Sequence, residues 1–283
     1  MRRPAQDAVM IGRPRHFTSL TRRVAAMGLA AAALARPSAS TAADALRIAA
    51  AADVRGALDA LMARFTAGSL PATRPVITAT YGSTGNLARQ IEQGAPFDLF
   101  LAADERYARR LINAGLTGGD GLVYAIGRLS LIAPRNSALP AKHSTSRLDG
   151  LGAAVAAGQV KRFALANPEH APYGERGREV LQSLGVWNAL QGRLVLGENV
   201  AQAAQYVASG GADAGIVAAS LLHLPEFAAT VLAELIPSDR HTALRQRAVL
   251  IRGAKPFAAE MLAFLATPDS QAVFKAHGFD SPQ

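Results

Sequence analysis

The chain of 283 residues contains no cysteine. That excludes a disulfide scaffold, thiolate zinc sites, thiol catalysis and a lipid-modified N-terminal cysteine. No G-x-S-x-G, H-E-x-x-H, G-x-x-x-x-G-K-[ST] or G-x-G-x-x-G is present, which removes the usual nucleophile elbow, zinc, P-loop and dinucleotide signatures. The six histidines (His16, His143, His170, His223, His241, His277) are scattered, with no pair at metal-ligand spacing. Long apolar runs are lacking too. Val24 to Ala35 has 12 residues, no later stretch does better, and a bilayer span takes roughly 20.

What is present is a chain half hydrophobic and 18% charged, enough for a large buried core. The net charge of +9 is unevenly placed: residues 1–42 hold seven arginines against Asp7, and the rest carries only +3. A near-neutral body gives no footprint for nucleic acid, and no nucleic-acid partner is expected. The first segment has the order of an export signal, with basic residues ending at Arg22-Arg23, the apolar run, then small residues from Pro37 to Ala42. Cleavage is expected near Ala42, by the general secretory or the twin-arginine route, leaving about 240 residues to work in the periplasm.

Along the mature chain, Leu46–Ala52, Val76–Tyr81 and Asp98–Ala102 read as strands. Between and after them stand helices opened by Asp53, over Gly85–Gln93, and over Asp104–Asn113. Asp53 is read as the N-cap of its helix. This alternation predicts a parallel sheet covered on both faces. Phe163–Ala166, Leu194–Leu196 and Ala214–Val217 repeat the strand role, with helices near Gly174–Leu184 and Val200–Ala208. Gly121–Pro134, which contains Gly127-Arg128, reads as an extended segment between the two units, Ala248–Ile251 as a returning strand, and the last 28 residues as helical. The expected architecture is α/β, two lobes each built on a mainly parallel sheet flanked by helices, with a ligand cleft between them. Residues 43–127 plus 248–283 are assigned to lobe I and 128–247 to lobe II, after a signal segment at 1–42. Three loops deliver backbone N–H groups at helix starts: Tyr81-Gly82-Ser83-Thr84-Gly85-Asn86, Asn167-Pro168-Glu169-His170-Ala171-Pro172-Tyr173-Gly174, and Gly197-Glu198-Asn199-Val200. Such loops suit anions, and are also what any capped βα turn looks like.

The block from Asn86 to Asp104 (NLARQIEQGAPFDLFLAAD), with the Asn167-Pro168-Glu169-His170 turn and Gly197-Glu198-Asn199-Val200, resembles the periplasmic molybdate-binding proteins of ABC importers, as a divergent member. The similarity runs from about Leu46 to Phe279. It implies a type II periplasmic-binding fold and a solute receptor that closes on molybdate or tungstate through neutral donors, then docks on a membrane permease. It implies no enzyme activity and no cofactor, and a monomer. Carried across by position, Asp53 falls on a serine, Thr84 on a hydroxyl donor beside Ser83, Tyr173 and Val200 on backbone N–H donors, and Ala218 on a tyrosine. These six are the expected ligand-binding residues. Asp53 is the sharp departure: at 4 Å and an effective dielectric of about 20 it repels each unit of anionic charge by about 4 kcal/mol. Arg55 is read either as its partner or as a solvated side chain, and Tyr173 either as a substitute hydroxyl or as packing. A different small anion, or an organic ligand that pairs with Asp53, is therefore the alternative. Less favoured are an exported enzyme with Asp53 or His170 as base, which lacks a nucleophile partner, and a regulator's sensing domain.

Overall fold

The computed structural model describes residues 45–68, 76–137, 139 and 146–282; the expected export segment at 1–42 lies outside them. Among the described residues ten strands form two five-stranded sheets. The first has the order β2 (Ile77–Gly82), β1 (Leu46–Ala51), β3 (Leu99–Ala102), β10 (Leu244–Leu250), β4 (Leu122–Gly127). The second has the order β7 (Leu194–Gly197), β6 (Phe163–Ala166), β8 (Ala214–Ala218), β5 (Leu129–Pro134), β9 (Val231–Leu235). Only β10 runs against its neighbours in the first sheet, and only β5 in the second. The sheets are thus mixed, with four of five strands pointing one way.

Burial on both faces explains the near-continuous apolar strands. Leu46, Ile48 and Ala50 of β1 pack with Leu58 and Leu61 of α1 (Arg55–Ala67), Met261 of α9 (Pro256–Leu265) and Phe274 of α10 (Pro268–Ala276). Ala49, Phe100 and Val249 face the other way, onto Leu87 and Ile91 of α2 (Thr84–Glu92) and Leu111 of α3 (Glu105–Asn113). The second sheet is covered by α4 (Arg147–Ala156), α5 (Pro172–Ser183) and α7 (Val200–Ala208), with short helices α6 (Trp187–Leu190) and α8 (Pro225–Ala228) beside them. Each sheet with its helices makes one lobe.

Gly121–Pro134, read as an extended segment between the units, is two strands in different sheets, and the chain passes from one lobe to the other at Arg128. Two expectations change. β10 begins at Leu244, where it pairs with Gly127 at the end of β4, before the strand expected at Ala248. Asp53 is not a helix cap: the chain leaves β1 through a 3-10 turn, Ala52–Val54, whose flanking residue Ala51 offers no side-chain acceptor, and α1 likewise starts without one. Helix α4 and strand β9 carry no strong periodic signal and add to the expected elements. Among the described residues no helix is long and apolar enough to cross a membrane.

Candidate functional site

The C-terminal ends of the parallel strands in both sheets face each other, the usual place for a ligand in open α/β sheets. Five segments meet there around one cavity: Ala51, Ala52 and Asp53 at the end of β1; Gly82, Ser83 and Thr84 at the end of β2; Ala103 after β3; Ala171, Pro172 and Tyr173 at the start of α5; and Asn199 and Val200 at the start of α7. Of the expected ligand-binding residues, Asp53, Ser83, Thr84, Tyr173 and Val200 line it. Ala218 is fully buried at the end of β8, paired with Leu129, and is not among the lining residues. The space is about 10 Å³ measured to the centre of a water, room for about one water molecule. A larger ligand does not fit this space as it stands. A roomier hollow of about 460 Å³ lies at the opposite edge of the first sheet, around Arg47, Asp98 and Lys255, away from the helix starts.

The lining supplies neutral donors. Thr84, Tyr173 and Val200 sit in the first turns of α2, α5 and α7, where N–H groups have no acceptor within the helix. Thr84 Oγ1 accepts from the Ala103 N–H at 3.1 Å, which leaves its own proton to donate. Ser83 is committed elsewhere: its Oγ caps α2 by accepting from Asn86 N (3.3 Å) and meets His170 Nδ1 at 2.8 Å across the lobes. Gly85 N–H donates to the His170 carbonyl at 2.9 Å, an approach only glycine permits, because a Cβ there would lie 2.6 Å from that oxygen.

Asp53 is 2% exposed and belongs to a buried polar cluster at the cavity floor. Tyr173 donates its hydroxyl to Asp53 Oδ2 (3.0 Å), and Gln246 of β10 donates from Nε2 to the same oxygen (2.5 Å) and to Tyr173 (3.1 Å). Tyr124 of β4 donates to Gln246 Oε1 at 2.6 Å, and Ser220 Oγ donates to the Asp53 carbonyl at 2.8 Å. The other carboxylate oxygen, Oδ1, is buried and receives no hydrogen bond from another residue. Burial pushes the Asp53 carboxyl up to about 6, with the bonds from Gln246 and Tyr173 and the residue's own amide pulling the other way. The same burial, with Asp53 beside them, holds the phenols of Tyr124 and Tyr173 well above their ordinary value, so both remain protonated donors. Arg55 is exposed, its guanidinium 4.9 Å over the Tyr81 ring and outside this cluster.

A second, charged contact joins the lobes beside the cavity. Arg176 of α5, 4% exposed, reaches Asp104 Oδ2 at 2.9 Å and also pairs with Glu179. Arg106 of α3 bonds Asp104 at 3.0 Å and Glu175 at 2.5 Å. Burial pushes the Asp104 carboxyl up, but the hydrogen bonds from Arg106 and Arg176 outweigh it and hold it below the usual range. Sequence reasoning missed Gln246, Tyr124 and Arg176. A signal existed for the first: Gln246 sits in the buried phase of β10 between Leu244 and Ala248, where a polar residue requires a buried partner.

The family model for bacterial extracellular solute-binding proteins matches residues 46–280. The chain belongs to this family. It is 35% identical over 206 residues to the molybdate-binding protein ModA of Azotobacter vinelandii, covering 72% of this chain and 78% of that one. It is also 35% identical over 210 residues to ModA of Rhodobacter capsulatus, covering 73% and 78%. The solved periplasmic molybdate-binding protein of Azotobacter vinelandii superposes with a TM-score of 0.72 at 30% identity, over 84% of this chain and all of that one. The two-lobed α/β fold and the solute-binding role are those of this family.

Proposed function

We propose that this solute-binding protein takes up a tetrahedral oxyanion of the molybdate or tungstate class between its lobes, in the periplasm, and delivers it to the membrane permease of an ABC importer. The observation that carries this is the convergence of three helix starts and the Thr84 hydroxyl on one interlobe cavity free of cationic side chains. A dianion held by oriented N–H dipoles is stabilised without a neutralising charge that would slow its release. The relatives named above bind molybdate and supply the ligand class. Ser83 Oγ lies 2.8 Å from His170 Nδ1 but is spent capping α2, where it accepts from Asn86 N, and binding without chemistry is the reading these groups support. No cofactor is invoked, and the receptor acts as a monomer.

Asp53 favours a second reading, a small anion or organic ligand carrying its own hydrogen-bond donor, because Oδ1 is an acceptor without a partner. Isothermal titration of the mature protein, refolded from denaturant to remove carried-over ligand, tests both against molybdate, tungstate, sulfate and phosphate. Micromolar or tighter binding of the first two with none of sulfate supports the first reading. Phosphate alone supports the second, and no binding of any of the four overturns the first and leaves the organic ligand of the second.

A further inference from the structure

We propose that the cavity binds its oxyanion together with one proton, held between Asp53 Oδ1 and an oxygen of the anion. The inference deepens the oxyanion reading above and rests on it. Oδ2 already accepts from Tyr173 and Gln246, so a proton on this carboxyl resides on Oδ1. Oδ1 is buried, unpartnered within the protein, and belongs to a residue that lines the cavity with Thr84 and Val200. An ionised Oδ1 there faces the anion as a like charge. A protonated one becomes one more neutral donor, alike in kind to the N–H groups and the Thr84 hydroxyl around it.

The surroundings favour the neutral acid. The cluster around the carboxyl consists of Tyr173, Tyr124, Gln246 and Ser220, none of them cationic. Charged groups on the elements packed against it are engaged elsewhere. On α5, Glu175 and Arg176 meet Arg106 and Asp104; on β10, Arg245 and Arg247 meet Glu105; Arg55 lies over Tyr81. His223, on the turn that carries Ser220, packs on His277, and His170 meets Ser83. Burial moves the carboxyl to about 6, so at neutral pH the ligand-free protein is mostly ionised and must acquire the proton as the anion enters. A fully ionised oxyanion then takes its proton from solvent.

The test is calorimetric titration with tungstate from pH 5 to 8.5, in buffers of different ionisation enthalpy. Affinity should be flat below pH 5.5 and fall about tenfold per unit above pH 6.5, with proton uptake near zero at pH 5 and close to one at pH 7.5. In Asp53→Asn the amide presents a permanent donor, so affinity should be flat across the range while His170 and His223 are untouched. Tungstate binding with unchanged affinity and no proton uptake at pH 7.5 overturns the inference and leaves the oxyanion reading standing. A tenfold slope that survives in Asp53→Asn also overturns it, since the proton then belongs to another group. Absence of tungstate binding at every pH overturns both. If Asp53→Asn does not fold, the two-buffer measurement on the unmutated protein still overturns the inference when it shows no proton uptake at pH 7.5.

Discussion

Asp53 makes folding stability depend on pH in a direction opposite to that of an ordinary paired carboxylate. In the unfolded chain the group titrates near 3.8, and in the native state near 6. Between those values the native protein holds a proton that the unfolded chain has released, so raising the pH across this window withdraws stability. The difference of about two units corresponds to about 3 kcal/mol, present below about pH 4 and fully lost above about pH 7. Asp53→Asn removes this titration. Its absolute stability also shifts by a constant, because the new Nδ2 amide is buried where Oδ1 had no partner, at a cost of about 1–3 kcal/mol. The diagnostic quantity is therefore the change in the mutant's relative stability with pH. Urea denaturation of both ligand-free proteins at pH 4, 5, 6 and 7.5 should show the Asp53→Asn protein gaining about 2.5 kcal/mol on the unmutated protein over that range, the rest having been lost already at pH 4. For a folded body of about 240 residues this equals roughly 5–10 °C in Tm. All other carboxyls titrate alike in both proteins and cancel. Parallel stability curves from pH 4 to 7.5 would refute the burial assigned to this carboxyl.

Thr84→Val should weaken tungstate binding and also cost about 1–3 kcal/mol of stability, because the buried Ala103 N–H loses its acceptor; Thr84→Ser should restore both, as read by calorimetry and thermal melting. Asp104→Asn keeps an oxygen for the Arg106 N–H at the start of α3 but removes the charge facing Arg176. It should raise the tungstate Kd about tenfold or more and increase the radius of gyration of the ligand-free protein in solution scattering. Gly127→Ala should disrupt the cavity floor, since its Cβ would lie 2.3 Å from the Tyr173 hydroxyl and 2.8 Å from Gln246 Nε2. Adding Tyr173→Phe, which deletes the nearer atom, should recover part of the lost melting temperature.

Local signals are sufficient for the strands after which the site is built. Leu46–Ala51 is a run apolar and buried at every position but Arg47, Ser83 and Asp104 cap α2 and α3 with their side chains, and Gly94 and Gly115 follow those helices with φ of 85° and 67°. The loops that carry Thr84, Tyr173 and Val200 can likewise be picked out, because each joins a strand to a helix start. What the sequence does not disclose is pairing at a distance. Asp53 looks like a cap because it precedes a helical pattern, yet its carboxylate turns inward to residues 120 and 193 positions away. Arg176 lies in an amphipathic helix where an arginine is unremarkable until Asp104 of the other lobe closes on it. Strand β9, Val231-Leu232-Ala233-Glu234-Leu235, is short and does not alternate apolar with polar residues, so periodicity alone does not lift it from its loop.

The departures at Asp53 and Tyr173 are parts of one arrangement. The Tyr173 hydroxyl reaches the strand crossing only because Gly127 has no side chain there, and once buried it requires an acceptor. Asp53 supplies one, and Gln246, oriented by Tyr124, donates to both. A serine at position 53, the residue implied by the family resemblance, is too short to span this contact and would leave the Tyr173 proton and the Gln246 amide without their shared acceptor. Asp53 is thus held in place by Tyr173, Gln246 and Ser220, from three separate elements, and its charge cannot be removed by truncation without cost to the floor of the cavity. Protonation neutralises it while keeping every one of those bonds, because Oδ2 goes on accepting while Oδ1 carries the proton. The same structure that makes Asp53 an obstacle to a dianion at high pH therefore makes it a donor at low pH, with charge held away from the cavity in the Asp104, Arg106, Glu175 and Arg176 contact that closes the lobes.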